Sequence, residues 1–233
     1  MRIYGKEVTM NETEWNQLHS ETRHQPIYPS ESVVRFVASL PKNATILDAG
    51  CGAGRHMLMA ANLGRTPYGI DYSQNGVDCA KELLKREGFD DYTKNVRLAP
   101  VYEIPYPSEY FDAVICYGVL YYMNTGHIKM ALSEMRRVLK PGGSIMLHVR
   151  SIDDYRADPK RMGSHGDTHG LVIMEFDEGK SAFKENGMFM HFFSKDEIEY
   201  LMQDYSGIEV NSEIVYHDNN TYADYNFIVL AKK

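Results

Sequence analysis

The stretch from Thr45 to His56, TILDAGCGAGRH, drives an apolar segment into a glycine-rich turn and then into a helical pattern. A strand that empties this way into a helix belongs in a parallel sheet, because the chain must cross back over the sheet before the next strand can lie beside the first. The rest of the chain keeps that rhythm. The strand at Ala44 to Ala49 is followed by the helical pattern HMLMAANL, which stops at Gly64, and TPYGID is a second strand. Ser73 can cap a helix whose Val77, Ala80, Leu83 and Leu84 share one face. NVRLA is a third strand and FDAVICY a fourth. Ile128, Ala131, Leu132, Met135 and Leu139 mark an amphipathic helix that KPGG ends, and SIMLHV is a fifth strand.

Such alternation predicts right-handed crossovers onto a mostly parallel, doubly wound α/β sheet with helices on both faces. The tail changes rhythm. Ser194 and Glu197 form a capping-box pattern opening the helix KDEIEYLMQDY, and IEVNSEIVY and YNFIVLA read as strands joined by the polar turn HDNNT. An antiparallel hairpin is therefore expected at the sheet edge. At 233 residues, the chain is read as one domain, residues 1–233. Residues 1–43 and 150–193 lie outside the alternation. The second segment is too long for a connector, and within it GLVIMEF and GMFMHFF can pair as an extra hairpin. Both segments are expected over the carboxyl ends of the strands, where doubly wound sheets bind ligands.

What the turn holds follows from what surrounds its glycines. A phosphate-binding loop needs a Lys-Ser/Thr pair after them, whereas Arg55 and His56 follow here. A dinucleotide fingerprint needs a small residue where Arg55 stands. Asp71, at the end of the second strand, is placed to accept hydrogen bonds from both hydroxyls of an adenosine ribose. Asp48 would repel a pyrophosphate but suits a ligand carrying an ammonium and a sulfonium. S-adenosylmethionine has both.

The blocks ILDAGCGAGRH, GIDYS, IPYPSEYFDAVICYGVLYYM and RRVLKPGGSIMLHV, in this order and spacing from Ala44 to Arg150, resemble the class I S-adenosylmethionine-dependent methyltransferases. The resemblance implies a Rossmann-like, doubly wound seven-stranded sheet with one antiparallel strand. It assigns Asp48, Gly50, Cys51 and Gly52 to the methionine part of the cofactor, and Asp71 and Tyr72 to ribose and adenine. The family often has Asp where Pro100 stands, which leaves the backbone of Val101 and the side chain of Tyr102 for the adenine. Tyr117 would sit near the transferred methyl. The ends, WNQLHSETRHQPIYPSESVVRFV, VRSIDDYR and MHFFSKDEI, resemble more weakly a bacterial subgroup associated with small-molecule or surface-polysaccharide methylation.

His56 reads either as a neighbour of the cofactor or as a packed histidine. Tyr28, Tyr117, Tyr121 and Tyr122 read either as an aromatic wall near the sulfonium or as core, and Trp15 as a packing anchor. On the acceptor side stand Arg150, Tyr155, Arg156, His165 and His169, with His148, His191 and Tyr117 as the catalytic candidates and His148 preferred as proton acceptor. HGDTH offers His165, Asp167 and His169 as metal ligands, but no helix aligns them, and no metal is expected.

A net charge of −7 argues against nucleic acid or an anionic membrane as partner. The odd set of three cysteines, Cys51, Cys79 and Cys116, and the lack of a signal peptide or long apolar run point to a reducing cytoplasm. The expected activity is methyl transfer from S-adenosylmethionine to a small-molecule acceptor, at a hydroxyl oxygen on a sugar or another metabolite. N-methylation of a small molecule and a non-catalytic cofactor-binding regulator are the alternatives.

Overall fold

The computed structural model describes residues 27–157, 163–164, 172–173 and 189–233. Trp15, His165, Asp167 and His169 fall outside them. The central sheet comprises β1 (Thr45–Ala49), β2 (Thr66–Asp71), β3 (Val96–Leu98), β4 (Phe111–Tyr117) and β5 (Leu139–Arg150), with two later strands. A small sheet of β6 (Gly163–Ser164), β7 (Val172–Ile173) and β8 (Phe189–Met190) precedes β9 (Ser206–His217) and β10 (Tyr222–Lys232). The order of the large sheet is β3-β2-β1-β4-β5-β10-β9. β1 is parallel to β2 and β4, while β10 runs antiparallel to both β5 and β9. One strand thus opposes the other six, as the resemblance implied. Pairing of Val172–Ile173 with Phe189–Met190 realises part of the extra hairpin expected between residues 150 and 193.

Alternation along the strands splits the core into two faces. Leu47, Val114, Cys116 and Leu147 pack on one side with Ile128, Ala131 and Met135 of α4 (Thr125–Val138) and Ile198 of α5 (Lys195–Leu201). On the other, Ile46, Ala113, Ile115 and Met146 meet Val33 and Val37 of α1 (Glu31–Ser39) and Met59 and Ala60 of α2 (Arg55–Asn62). The end of α1 is held down by Arg65, whose Nη2 donates to the carbonyls of Leu40 and Ala38 at 2.6 and 3.1 Å. This second face carries the site, because Asp48, Tyr117 and His148 continue its alternation beyond the apolar residues.

Both expected caps form. Ser73 Oγ accepts the Gly76 amide at the start of α3 (Gln74–Arg86), and Ser194 Oγ accepts the Glu197 amide at the start of α5. β5 begins earlier than SIMLHV indicates: Leu139 pairs with Phe111, and a register shift carries the strand through KPGG before Ser144 pairs with Ala113. At the other end of β5 the flanks of the insertion are clamped, since the Phe193 amide donates to the Arg150 carbonyl at 2.8 Å.

Candidate active site

The glycine turn lies across the end of β2, with the Gly50 and Cys51 amides donating to the Ile70 carbonyl at 2.8 and 2.9 Å. Gly50 has φ +86°, and a Cβ there would stand 2.3 Å from a methyl of Val119, so this position has neither conformational nor spatial room for a side chain. Gly54, at φ +85°, caps α2 and passes so close to α3 that a Cβ would meet that of Ala80 at 2.9 Å. The turn is stapled by Asp71, which accepts the Gly52 amide at 2.7 Å on Oδ2 and the Ser73 amide at 2.8 Å on Oδ1. A carboxylate oxygen has a second lone pair, so this staple leaves acceptor capacity for a diol. The Cys51 thiol, buried beneath the turn, is pushed up by burial and then by Asp71 and Asp48.

Asp48 is buried, and its Oδ2 makes no hydrogen bond. Burial pushes its carboxyl up to about 7, against the opposing pull of Arg55. His56 does not compensate it: burial, then Arg55 and His148, lower its pKa to about 3, so the ring is neutral. The Ser30 amide donates to His56 Nε2 at 3.3 Å, which leaves the ring proton on Nδ1, 4.0 Å from Asp48 Oδ2. A buried acceptor with no donor is costly, and an incoming ammonium would relieve it. The residues therefore fit S-adenosylmethionine: a carboxylate awaiting a cation, a turn closed to side chains, and a second carboxylate at the end of β2. Tyr72 is half-buried beyond Asp71, Val101 is buried, and half-buried Tyr102 stacks on His127 at 4.5 Å and 12°. His127 had given no signal in sequence beyond its place after the cap Asn124.

From the turn, rings continue toward the acceptor side. His56 meets Tyr117 edge-on at 5.3 Å, and Tyr117 stacks on His148 at 4.0 Å and 16°. Arg55 reaches 5.6 Å from the Tyr117 ring while its Nη1 donates to the Tyr28 carbonyl at 2.8 Å. His148 is buried, with Nε2 3.5 Å from Glu213 Oε2 and Nδ1 buried without a partner. Burial lowers its pKa, and Glu213 pulls the other way. Glu213, on β9, was not foreseen from sequence. Arg150 lies 4.3 Å from the Tyr121 ring, and its Nη1 donates to the Met190 sulfur.

Other expected residues stand apart from this row. The Tyr28 side chain is 81% exposed, so only its carbonyl takes part. Arg156 is buried with its guanidinium on Asp154 (2.5 Å) and Asp224 (3.2 Å), and Tyr155 packs on Tyr222 at 4.9 Å. These two brace the β9–β10 hairpin. His191 is fully buried, with Nε2 2.9 Å from Glu197 and its ring edge-on to Phe193. Among the described residues no His/Cys/Asp/Glu cluster could hold a metal, and no helix is long and apolar enough to cross a membrane.

The family described as a methyltransferase domain matches residues 47–147, from β1 to the middle of β5. A tRNA (carboxymethyluridine(34)-5-O)-methyltransferase of Arabidopsis thaliana is 36% identical over 118 residues, covering 50% of this chain and 26% of that protein. A tRNA U34 carboxymethyltransferase of Shewanella loihica is 31% identical over 139 residues, covering 58% of this chain and 40% of that protein. The chain thus spans well under half the length of either relative. An S-adenosylmethionine-dependent methyltransferase structure from Methanosarcina mazei superimposes with a TM-score of 0.70 at 19% identity, covering 88% of this chain and 98% of that one, which is a likeness of fold.

The relatives correct one expectation. A small-molecule acceptor with nucleic acid excluded does not stand against similarity to proteins named as tRNA methyltransferases. The exclusion rested on net charge, which sums the whole chain and does not report the local field at a cleft, and on CYGVLY standing after the fourth strand in place of the Pro-Pro-aromatic motif usual in nucleic-acid methylases. The cofactor assignment is untouched by that correction, because it rests on the turn and the strand ends. Residues 47–147 thus match a methyltransferase domain, on the fold that S-adenosylmethionine-dependent methyltransferase structures share.

Proposed function

We propose that the chain methylates a hydroxyl oxygen of an RNA nucleotide, with tRNA the class of RNA its relatives support. The observation that carries this reading is the unbroken row from Asp48 through His56 and Tyr117 to His148, which links the cofactor turn to a buried imidazole nitrogen without a partner. When bound, S-adenosylmethionine supplies an electrophilic methyl on a cationic sulfur. Asp48 receives the ammonium, Asp71 the ribose, and Tyr72 and Tyr102 flank the base. Half-buried Tyr117, with the Arg55 guanidinium 5.6 Å from its ring, offers the kind of aromatic and cationic pair on which an extruded nucleobase stacks. His148 takes the hydroxyl proton on Nδ1 as the oxygen moves in line with the methyl. The three free cysteines support action in a reducing cytoplasm.

A second reading, a carboxylate oxygen as acceptor, is favoured by the Arabidopsis relative, which is named as a carboxymethyluridine methyltransferase. A carboxylate is already ionised and needs no base. Incubation of the protein with methyl-labelled cofactor and bulk tRNA tests both. Label that stays on ribonuclease-digested nucleosides through mild alkali supports the hydroxyl reading, while label lost to alkali identifies an ester and the second reading. Absence of label from RNA overturns both.

A further inference from the structure

Glu213 lies on the outermost strand of the sheet, in register with Asn226, which in turn pairs with Arg150 on β5. Its side chain reaches back over β10 to the face that carries the site. There Oε2 stands 3.5 Å from His148 Nε2, at the long limit of hydrogen bonding. On the other side of the same imidazole, Nδ1 is buried and has no partner. Stacking on Tyr117 at 4.0 Å and the edge of Tyr121 at 6.3 Å fix the ring plane between β4 and the turn after it. A neutral imidazole carries one proton, and the nitrogen facing a carboxylate is the one that keeps it. From this juxtaposition, and resting on the reading of His148 as proton acceptor, we propose that Glu213 is a positioning residue: it holds the ring proton on Nε2 and thereby leaves Nδ1 as the atom that receives the acceptor's proton.

The charges around the ring agree with that arrangement. Glu213 is the anion facing it from β9, and hydrogen bonding to His148 holds its carboxyl below the ordinary range, with Ser32 and Tyr117 contributing. Arg150 on β5 and Arg55 on α2 oppose protonation of the imidazole, and His56 is neutral. Tyr117 of β4, whose hydroxyl is pushed up by burial, and Tyr121 are uncharged neighbours. The imidazole therefore stays neutral at physiological pH, with Glu213 ready to stabilise the cation that forms when Nδ1 is protonated. As the acceptor oxygen forms its bond to the methyl and the methyl–sulfur bond breaks, the hydroxyl proton passes to Nδ1, and it leaves to solvent afterwards.

Two measurements test this on the full chain. In nitrogen-15 histidine spectra of the protein saturated with S-adenosylhomocysteine, with the His148 signal assigned by its loss in His148→Ala, the wild type should show the Nε2-protonated tautomer. Glu213→Ala should mix the tautomers and lower the pKa of His148. Unchanged tautomer and pKa would overturn the proposal. With tRNA as acceptor, Glu213→Gln should lower kcat by about tenfold or more and move its acid limb to lower pH, while KM for cofactor stays put. Loss of kcat in His148→Ala without loss in Glu213→Gln overturns the role of Glu213 alone. Full kcat in His148→Ala overturns the base reading beneath it.

Discussion

Asp71 Oδ2 accepts the Gly52 amide at 2.7 Å, so the residue proposed to hold the ribose also holds the turn proposed to cradle the rest of the cofactor. Its other oxygen takes the Ser73 amide at 2.8 Å, next to the cap of α3. Two roles in one side chain make its replacement act on stability and binding together.

Asp71→Ala should weaken cofactor affinity by about tenfold or more and also lower the melting temperature of the ligand-free protein, since each hydrogen bond to a charged acceptor contributes roughly 1.5–3 kcal/mol. Calorimetric titration and thermal melts read the two effects separately. An unchanged melting temperature would remove the staple, and unchanged affinity would remove the ribose contact.

Asp48 predicts a proton linked to binding. Without cofactor its carboxyl titrates at about 7, against an ordinary value of 3.8. Because the folded pKa is raised, the group's contribution to stability is full below the ordinary value and is lost as pH rises through about 7. An ammonium beside it reverses the preference and favours the ionised form. At pH 6, binding of S-adenosylmethionine should therefore release protons from Asp48, seen as a dependence of the binding heat on buffer ionisation enthalpy. Affinity should rise with pH toward neutrality and then level. Asp48→Asn should abolish that dependence, and its persistence in the variant would assign the proton to another group.

Arg156 is predicted to matter for folding rather than for acceptor recognition. Removing it strands buried Asp154 beside the hairpin, and breaking a buried ion pair costs about 3–5 kcal/mol. Arg156→Ala should lower the melting temperature markedly in the presence and absence of tRNA. A stable variant with a raised KM for tRNA would return Arg156 to the acceptor side.

The parts of this site that sequence made legible are those governed by local rules. Gly50 and Gly54 announce a turn because nothing larger fits, Ser73 and Ser194 cap where their spacing says they should, and β4 begins and ends as its apolar run does. Glu213 was hidden because IEVNSEIVY reads as an edge strand with ordinary polar positions, and only the antiparallel order β5-β10-β9 brings one of them to His148. Arg156 looked available although Asp154 stands two residues before it, because its second partner, Asp224, arrives from the tail. Net charge misled about the acceptor because it averages over surfaces that never meet a ligand.

The most direct measurement of the central claim is a calorimetric titration of the purified chain with S-adenosylmethionine, S-adenosylhomocysteine and NAD. The glycine turn followed by Arg55, with Asp48 and Asp71 beside it, predicts one-to-one binding of the first two, no measurable heat with NAD, and at least about tenfold weaker S-adenosylmethionine binding by Asp48→Asn. Binding of NAD as tight as that of S-adenosylmethionine, or full affinity in Asp48→Asn, would contradict it.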